Sequence, residues 1–169
     1  DPRAAARELG PYVAAGASTF DMADHYGSAE LIAGELARSV DDNLQLLTKW
    51  VPTPGPVTAA DTRAAIDRAL ARPGGDALDL LQFHAWSYAD PAYLDALLHL
   101  RELRDRGIVR HIGVTNFDTA HLRILLETDF DIVSNQVCFS LLDRRPLGGM
   151  LELCRERGVG LLAYGTLAG

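Results

Sequence analysis

The sequence is nearly without lysine: of its 16 basic residues, 15 are arginines and one is Lys49. An arginine side chain stays protonated, whereas a lysine ammonium is a compact point charge whose pKa shifts readily when it is buried. Lys49 is therefore either retained for a task that arginine cannot perform or a chance survivor of a compositional bias. Composition alone leaves both explanations open.

Cysteine is also scarce, and Cys138 and Cys154 have neither the spacing of a disulfide framework nor that of a zinc site. Two cysteines without a framework favour a reduced, cytoplasmic setting. No group of His, Cys and carboxylate residues has metal-ligand spacing, so we expect no metal. We expect no membrane association either, because the chain has no apolar run long enough to span a bilayer and nothing that resembles a signal peptide.

Positive charge is not in excess, because the formal net charge is -7 and the isoelectric point is near 5.1. A nucleic-acid surface needs clustered cations to neutralise phosphates, so this balance argues against a nucleic-acid partner. With 169 residues, of which 48% are hydrophobic, the chain can bury a sizeable core. No linker divides it, and residues 1–169 are predicted to form a single domain.

Six predicted strands alternate with helices, a pattern typical of a parallel sheet with right-handed crossovers. An acidic turn is predicted at residues 41–43, between the second helix and the second strand. A polar residue marks the end of each strand: Asp21, Lys49, His84, Asn116, Gln136 and Tyr164. A doubly wound open sheet would instead concentrate its ligand contacts at one switch point, and no G-x-G-x-x-G phosphate loop is present. The predicted fold class is α/β, an incomplete (β/α)8 TIM-barrel type with about six βα units.

The stretch FDMADHYG, residues 20–27, places an acid inside an apolar strand, where it needs a buried cation as partner. If the strands surround one axis, Asp21, Tyr26, Lys49 and His84 meet at one end of the barrel. A nearby ammonium lowers the pKa of a phenol, so we expect Lys49, held by Asp21, to activate Tyr26. His84 would polarise a substrate oxygen by hydrogen bonding. Such a set suits proton donation to a carbonyl oxygen, with a nicotinamide cofactor as the hydride source.

Six segments then carry a resemblance to a known family: FDMADHYGSAE, LLTKW, DLLQFH, IGVTNF, SNQVCFS and LLAYGTL. In this order and at these intervals the chain resembles the aldo-keto reductase superfamily. The resemblance implies that Tyr26 is the general acid/base, with Asp21, Lys49 and His84 completing a tetrad. It further implies NADP(H) as cofactor. The implied cofactor-binding residues are Thr115, Asn116 and Gln136 at the carboxamide, Tyr164 stacked on the ring, and Gly165 and Leu167.

The resemblance is partial, because that family's barrel has eight strands. Relative to the family, the chain is expected to lack the first and the last strand, together with a late basic segment that grips the adenosine 2'-phosphate. Two sheet edges would then be unpaired, which predicts self-association through them.

The substrate pocket and the overall role stay open. Trp50 and Trp86 follow strand ends and are candidate contacts for an apolar or aromatic carbonyl compound, although core or rim packing is an equal alternative. The first functional hypothesis is an oxidoreductase that reduces an aldehyde or ketone to an alcohol. The second is a lyase that uses Lys49 as a Schiff-base nucleophile. The third is a catalytically weak or idle reductase-like subunit with an assembly or regulatory role.

Overall fold

A computed structural model describes residues 1–40 and 44–167, so the acidic turn predicted at 41–43 lies outside the described residues. In chain order the elements are α1 (Pro2–Ala14), β1 (Thr19–Asp21), α2 (Ala29–Ser39), β2 (Gln45–Trp50), α3 (Ala59–Ala71), β3 (Leu78–His84), α4 (Ala92–Asp105), β4 (Val109–Thr115), α5 (Thr119–Glu127), β5 (Ile132–Cys138), a short 3-10 helix (Arg145–Leu147), α6 (Gly149–Arg157) and β6 (Gly160–Tyr164). The alternation of six strands with helices is confirmed.

The six strands form one parallel sheet in the order β1-β2-β3-β4-β5-β6. The sheet is strongly curled. A hydrogen bond across it shows this: the Gln136 side chain on β5 donates to Asp21 on β1 at 3.0 Å. In a flat sheet four strand spacings would separate these residues by about 19 Å. Neighbouring strands therefore wrap around a common axis, as expected for an incomplete (β/α)8 barrel.

Strand register decides which side chains face this axis. Lys49 pairs with Gln82, and His84, Thr115 and Gln136 form one row across β3, β4 and β5. Successive side chains of a strand point to opposite faces, so these polar residues share the inner face while their neighbours point toward the helices.

The outward side chains build the core between the sheet and its helices. The main cluster contains fully buried residues such as Phe83, Ile66 and Leu97 and joins β2 to β6 with α3 to α6. A smaller cluster around Leu36 and Val13 packs α1 and α2. Asp118 caps α5 through its side chain, whereas Ser28 precedes α2 without a side-chain capping bond.

Within the part of the chain that the structure describes, β1 and β6 each have a single strand neighbour. Self-association through these edges stays a prediction. None of the helices in residues 1–40 and 44–167 is long and apolar enough to cross a bilayer. Among those same residues no cluster of three or more His, Cys, Asp or Glu side chains is arranged to hold a metal ion.

Candidate active site

The centre of the site is an ion pair between Asp21, the last residue of β1, and Lys49 near the end of β2. The Lys49 Nζ donates to Asp21 Oδ2 at 2.5 Å and to the backbone oxygen of Met22 at 2.8 Å. The Lys49 side chain is 3% exposed, whereas the Asp21 side chain is 38% exposed toward the open side of the sheet. The cation expected for Asp21 is therefore Lys49, and its charge is held inside the curled sheet.

Two amide side chains complete the surroundings of the Asp21 carboxylate. Gln82 Nε2 donates to Asp21 Oδ1 at 2.7 Å, and Gln136 Nε2 donates to Oδ2 at 3.0 Å. Gln82 is fully buried on β3 and was not singled out from the sequence. The available signal was a glutamine inside the apolar run LDLLQFH, since a buried amide needs a partner. Gln136, expected at a cofactor carboxamide, is engaged with Asp21 in this structure.

Tyr26 lies in the loop of residues 22–28 between β1 and α2, which we call the Tyr26 loop. Its ring centroid is 5.2 Å from the Lys49 Nζ, and the side chain is 50% exposed. Its backbone amide donates to the Ala23 oxygen at 3.0 Å, and its oxygen accepts from the Ala29 amide at 3.1 Å. The phenol thus stands over the buried ammonium and remains open to a ligand.

The expected lowering of the Tyr26 pKa is wrong in direction. The pKa of Tyr26 is raised above its ordinary value of 10.0, first by partial burial, then by the charge of Asp21 and by Tyr164. Burial is the largest of these causes, and the negative charge of Asp21 further disfavours the phenolate. Tyr26 is accordingly a protonated phenol throughout the neutral range.

His84 ends β3 at the same edge of the sheet and is half-buried. Its ring lies 5.2 Å from the ring of Trp86 at a tilt of 35°. Burial lowers the pKa of His84 from 6.5, and the charges of His25 and Lys49 lower it further. A neutral imidazole at the mouth can donate one hydrogen bond without adding charge.

A cleft of about 270 Å³ opens at the ends of β4, β5 and β6. Asn116 lines it in a left-handed backbone conformation, with φ 58°, and accepts a hydrogen bond from the Tyr164 hydroxyl at 3.0 Å. Nearby, the buried Thr115 Oγ1 has no hydrogen-bond partner within the described residues. An unpartnered hydroxyl beside amide side chains fits a ligand with a carboxamide group.

The other residues expected to contact the cofactor or the substrate differ in their exposure. Gly165 follows β6 with φ 63°, and Leu167 is 96% exposed. Trp86 is 65% exposed at the mouth, in keeping with a pocket-lining position. Trp50 is only 6% exposed and packs edge-on against Phe83 at 5.8 Å, which favours core packing over its expected role as a substrate contact. The reason is strand alternation: Lys49 faces the axis, and the next residue must face the helices.

A model of the aldo/keto reductase family matches residues 1–169, the whole chain. The chain belongs to the aldo/keto reductase family. An aldo-keto reductase of Mycobacterium sp. strain KMS is 32% identical over 173 residues, covering 98% of this chain and 60% of the relative. An NADH-specific methylglyoxal reductase of Escherichia coli K12 is 32% identical over 109 residues, covering 62% of this chain and 32% of the relative.

Solved structures of aldo-keto reductases share the fold. One from Bacillus halodurans, in its holo form, superposes with a TM-score of 0.85 at 26% identity. One from Klebsiella pneumoniae in complex with NADP and acetate has a TM-score of 0.87 at 26% identity. Each superposition covers 99% of this chain and 59% of the other protein. The chain thus spans about 60% of the length of the relatives from Mycobacterium and Bacillus halodurans, and its match covers 32% of the relative from Escherichia coli.

Proposed function

We propose that this aldo/keto reductase chain carries the active-site half of an NADP(H)-dependent oxidoreductase that reduces an aldehyde or a ketone to an alcohol. The observation that supports the proposal most is the placement of the Tyr26 ring 5.2 Å from a buried ammonium that is bonded to a carboxylate. Asp21, Tyr26, Lys49 and His84 come from three consecutive strand ends and line one edge of the sheet.

Tyr26 is the proton donor in this proposal. Its raised pKa keeps the hydroxyl protonated at neutral pH, and the proton moves when the substrate oxygen becomes a strong base. The phenolate left on Tyr26 lies near the Lys49 ammonium, which is 5.2 Å from the ring centroid. The attraction of this ammonium offsets part of the burial and of the Asp21 repulsion that raise the pKa of Tyr26.

His84 orients the substrate. With its pKa lowered, the imidazole is neutral near pH 7 and donates one hydrogen bond to the carbonyl oxygen. Trp86, whose ring is tilted against that of His84 and is largely exposed, lines the approach and favours an apolar or aromatic group on the carbonyl compound.

Thr115, Asn116, Tyr164 and Gly165 would hold the nicotinamide end of the cofactor. Thr115 offers a buried hydroxyl without a partner among residues 1–40 and 44–167, and Asn116 offers a side-chain amide; both groups match a carboxamide. When bound, NADP(H) supplies the hydride that reaches the carbonyl carbon. The solved relative from Klebsiella pneumoniae is described with NADP, whereas the relative from Escherichia coli is named NADH-specific. Titration of the purified chain with NADPH and NADH by fluorescence tests this choice.

Tyr26→Phe tests the chemistry. The variant keeps the ring over Lys49 and removes only the transferable proton, so we expect turnover to fall by roughly 10²- to 10⁴-fold. NADPH affinity should stay within about twofold, because the hydroxyl is not among the groups assigned to the cofactor. Tyr12→Phe on the exposed face of α1 is the matched control and should leave both quantities unchanged. Normal turnover in Tyr26→Phe would overturn the assignment.

The rival role of Lys49 as a Schiff-base nucleophile is weakened by its contacts. The Nζ donates to both Asp21 and the Met22 oxygen, and a nucleophilic amine would have to give up its proton and break these bonds. Borohydride treatment with a carbonyl substrate should therefore leave Lys49 unlabelled. A trapped adduct on Lys49 would favour the lyase instead.

A further inference from the structure

Glu30, in the first turn of α2, is a buried carboxylate outside the proposed chemistry. It is 2% exposed, and both of its oxygens are satisfied. Oε1 accepts from the Thr48 hydroxyl at 2.5 Å, and Oε2 accepts from the Arg72 guanidinium at 2.7 Å. A carboxylate this deeply buried is tolerated only with such partners, so the three side chains form one unit.

Arg72 extends this unit to the Tyr26 loop. Its Nη1 also donates to the backbone oxygen of Asp24 at 3.0 Å. On the other side, the Asp24 amide donates to the backbone oxygen of Lys49 at 3.0 Å. The backbone two residues before Tyr26 is thus held from the helix side by a guanidinium and from the strand side by β2.

The same unit is tied to the strand that carries the ammonium. Thr48 and Lys49 are adjacent on β2, and their side chains point to opposite faces. On the outer face of β2, Glu30 accepts a hydrogen bond from Thr48, and on the inner face Asp21 accepts one from Lys49. The spacing between the Tyr26 loop and Lys49 therefore depends on contacts on both faces of one strand.

Helix packing brings Arg72 into this position. Gly34 of α2 lies so close to the turn after α3 that an added Cβ would be 2.5 Å from the Cα of Pro73. Arg38 of the same helix donates to the Pro73 oxygen at 2.8 Å. Arg72 directly precedes Pro73. The packing of this turn against α2 therefore places the Arg72 guanidinium beside Glu30 and Asp24.

We propose that Glu30 and Arg72 are positioning residues that set the distance between Tyr26 and Lys49. This inference rests on the proposed function, because it concerns how that site is held for proton transfer. Neither side chain contacts the phenol; each acts through Asp24 and Thr48. Misplacement of the phenol by about 1 Å would lower turnover by up to roughly 100-fold without removing any reacting group.

The test combines two variants with a control on the same helix. Arg72→Met removes both bonds of the guanidinium and leaves Glu30 buried without a countercharge. Glu30→Gln combined with Arg72→Met removes that charge as well and keeps an amide for Thr48, so the chain can fold if the single variant cannot. Arg63→Met breaks the solvent-exposed pair of Arg63 with Asp67, at 2.7 Å, and is the matched control.

Hydrogen exchange of backbone amides is the first measurement. In the double variant we expect the amides of residues 22–28 to exchange roughly tenfold faster, the change expected for one lost hydrogen bond, with β3 and β4 unchanged. The control should match the unmodified chain. Unchanged exchange in the Tyr26 loop, or acceleration spread equally over the sheet, would overturn the inference.

Steady-state kinetics are the second measurement. We expect kcat to fall by roughly 10- to 100-fold in the double variant, with NADPH affinity within about twofold and partial recovery of kcat in Arg72→Lys. An unchanged kcat despite faster loop exchange would also overturn the inference. Absence of turnover in the unmodified chain would count against the proposed function alone, because the exchange result is obtained without catalysis.

Discussion

Asp21→Asn and Lys49→Met remove the two halves of one ion pair, and we expect them to have unequal effects on stability. The Lys49 side chain is 3% exposed, so its ammonium depends on protein partners. The Asp21 side chain is 38% exposed and keeps hydrogen bonds from Gln82 and Gln136 when the ammonium is gone. We therefore expect Asp21→Asn to lower the free energy of unfolding more than Lys49→Met does.

The magnitudes follow from what each variant leaves behind. Removal of one partner from a buried ion pair lowers the free energy of unfolding by about 3–5 kcal/mol. For Asp21→Asn we expect a loss of about 3 kcal/mol, because the new amide oxygen can still accept one hydrogen bond from Lys49. Lys49→Met fills the volume of the alkyl stem and gives up the bond to the Met22 oxygen, which costs about 1 kcal/mol. The double variant should cost about 2 kcal/mol, which corresponds to a coupling free energy of about 2 kcal/mol.

Urea denaturation measures these differences. With an m-value of about 2 kcal/mol per molar urea, the midpoint should fall by about 1.5 M in Asp21→Asn, about 0.5 M in Lys49→Met and about 1 M in the double variant. Asp67→Asn, which removes one half of an exposed pair on α3, is the control and should leave the midpoint nearly unchanged. If Asp21→Asn behaved like this control, or Lys49→Met cost as much as Asp21→Asn, the reasoning about the buried ammonium would be refuted.

Burial lowers the pKa of His84 from 6.5, so below that pH the unfolded chain binds a proton that the folded chain resists. Stability should fall as the pH drops from about 6.5 toward the folded pKa, and His84→Gln should flatten this slope in urea titrations; an equal slope would contradict the argument. Gly34→Ala should destabilise the fold by about 1–3 kcal/mol in thermal melts, because the added Cβ would lie 2.5 and 2.6 Å from backbone atoms of the turn after α3. Gly149→Ala is the control and should be tolerated, because its Cβ would lie 3.6 Å from a methyl group. Trp50→Ala should cost about 3–5 kcal/mol of stability as a core truncation, while Trp86→Ala should raise KM with little change in the melting temperature; the reverse pattern would restore Trp50 as a pocket residue.

Local patterns were sufficient for the element order and for several boundaries. The apolar run LDLLQFH ends at His84 in the sequence and in β3 alike, and Asp118, which caps α5, is a residue type that marks helix starts. These features depend on neighbours within a few residues, since periodicity and capping are local properties. The same holds for the polar residues at strand ends, because parallel strands place all their carboxyl ends at one edge.

Three features of the site depended on contacts between distant parts of the chain. Gln82 meets Asp21 across 61 residues, and Gln136 meets it across 115. The direction of the pKa shift of Tyr26 was missed, because it follows from the balance of burial and of the charges around the phenol. The burial of Trp50 follows from strand alternation once Lys49 is seen to face the axis, and the curl of the sheet is what shows that Lys49 does so.

The order of residues along the chain was enough to determine a parallel α/β architecture and to bring an acid, a phenol, the single lysine and a histidine to one edge, because both outcomes follow from repeated local geometry. Only the tertiary structure decided how charge is distributed there: which amides bind the Asp21 carboxylate, in which direction the pKa of Tyr26 shifts, and which buried pair supports the Tyr26 loop from behind. The physical reason is that electrostatic interactions depend on distance and burial in space, and these are set when the sheet curls and the helices pack against it.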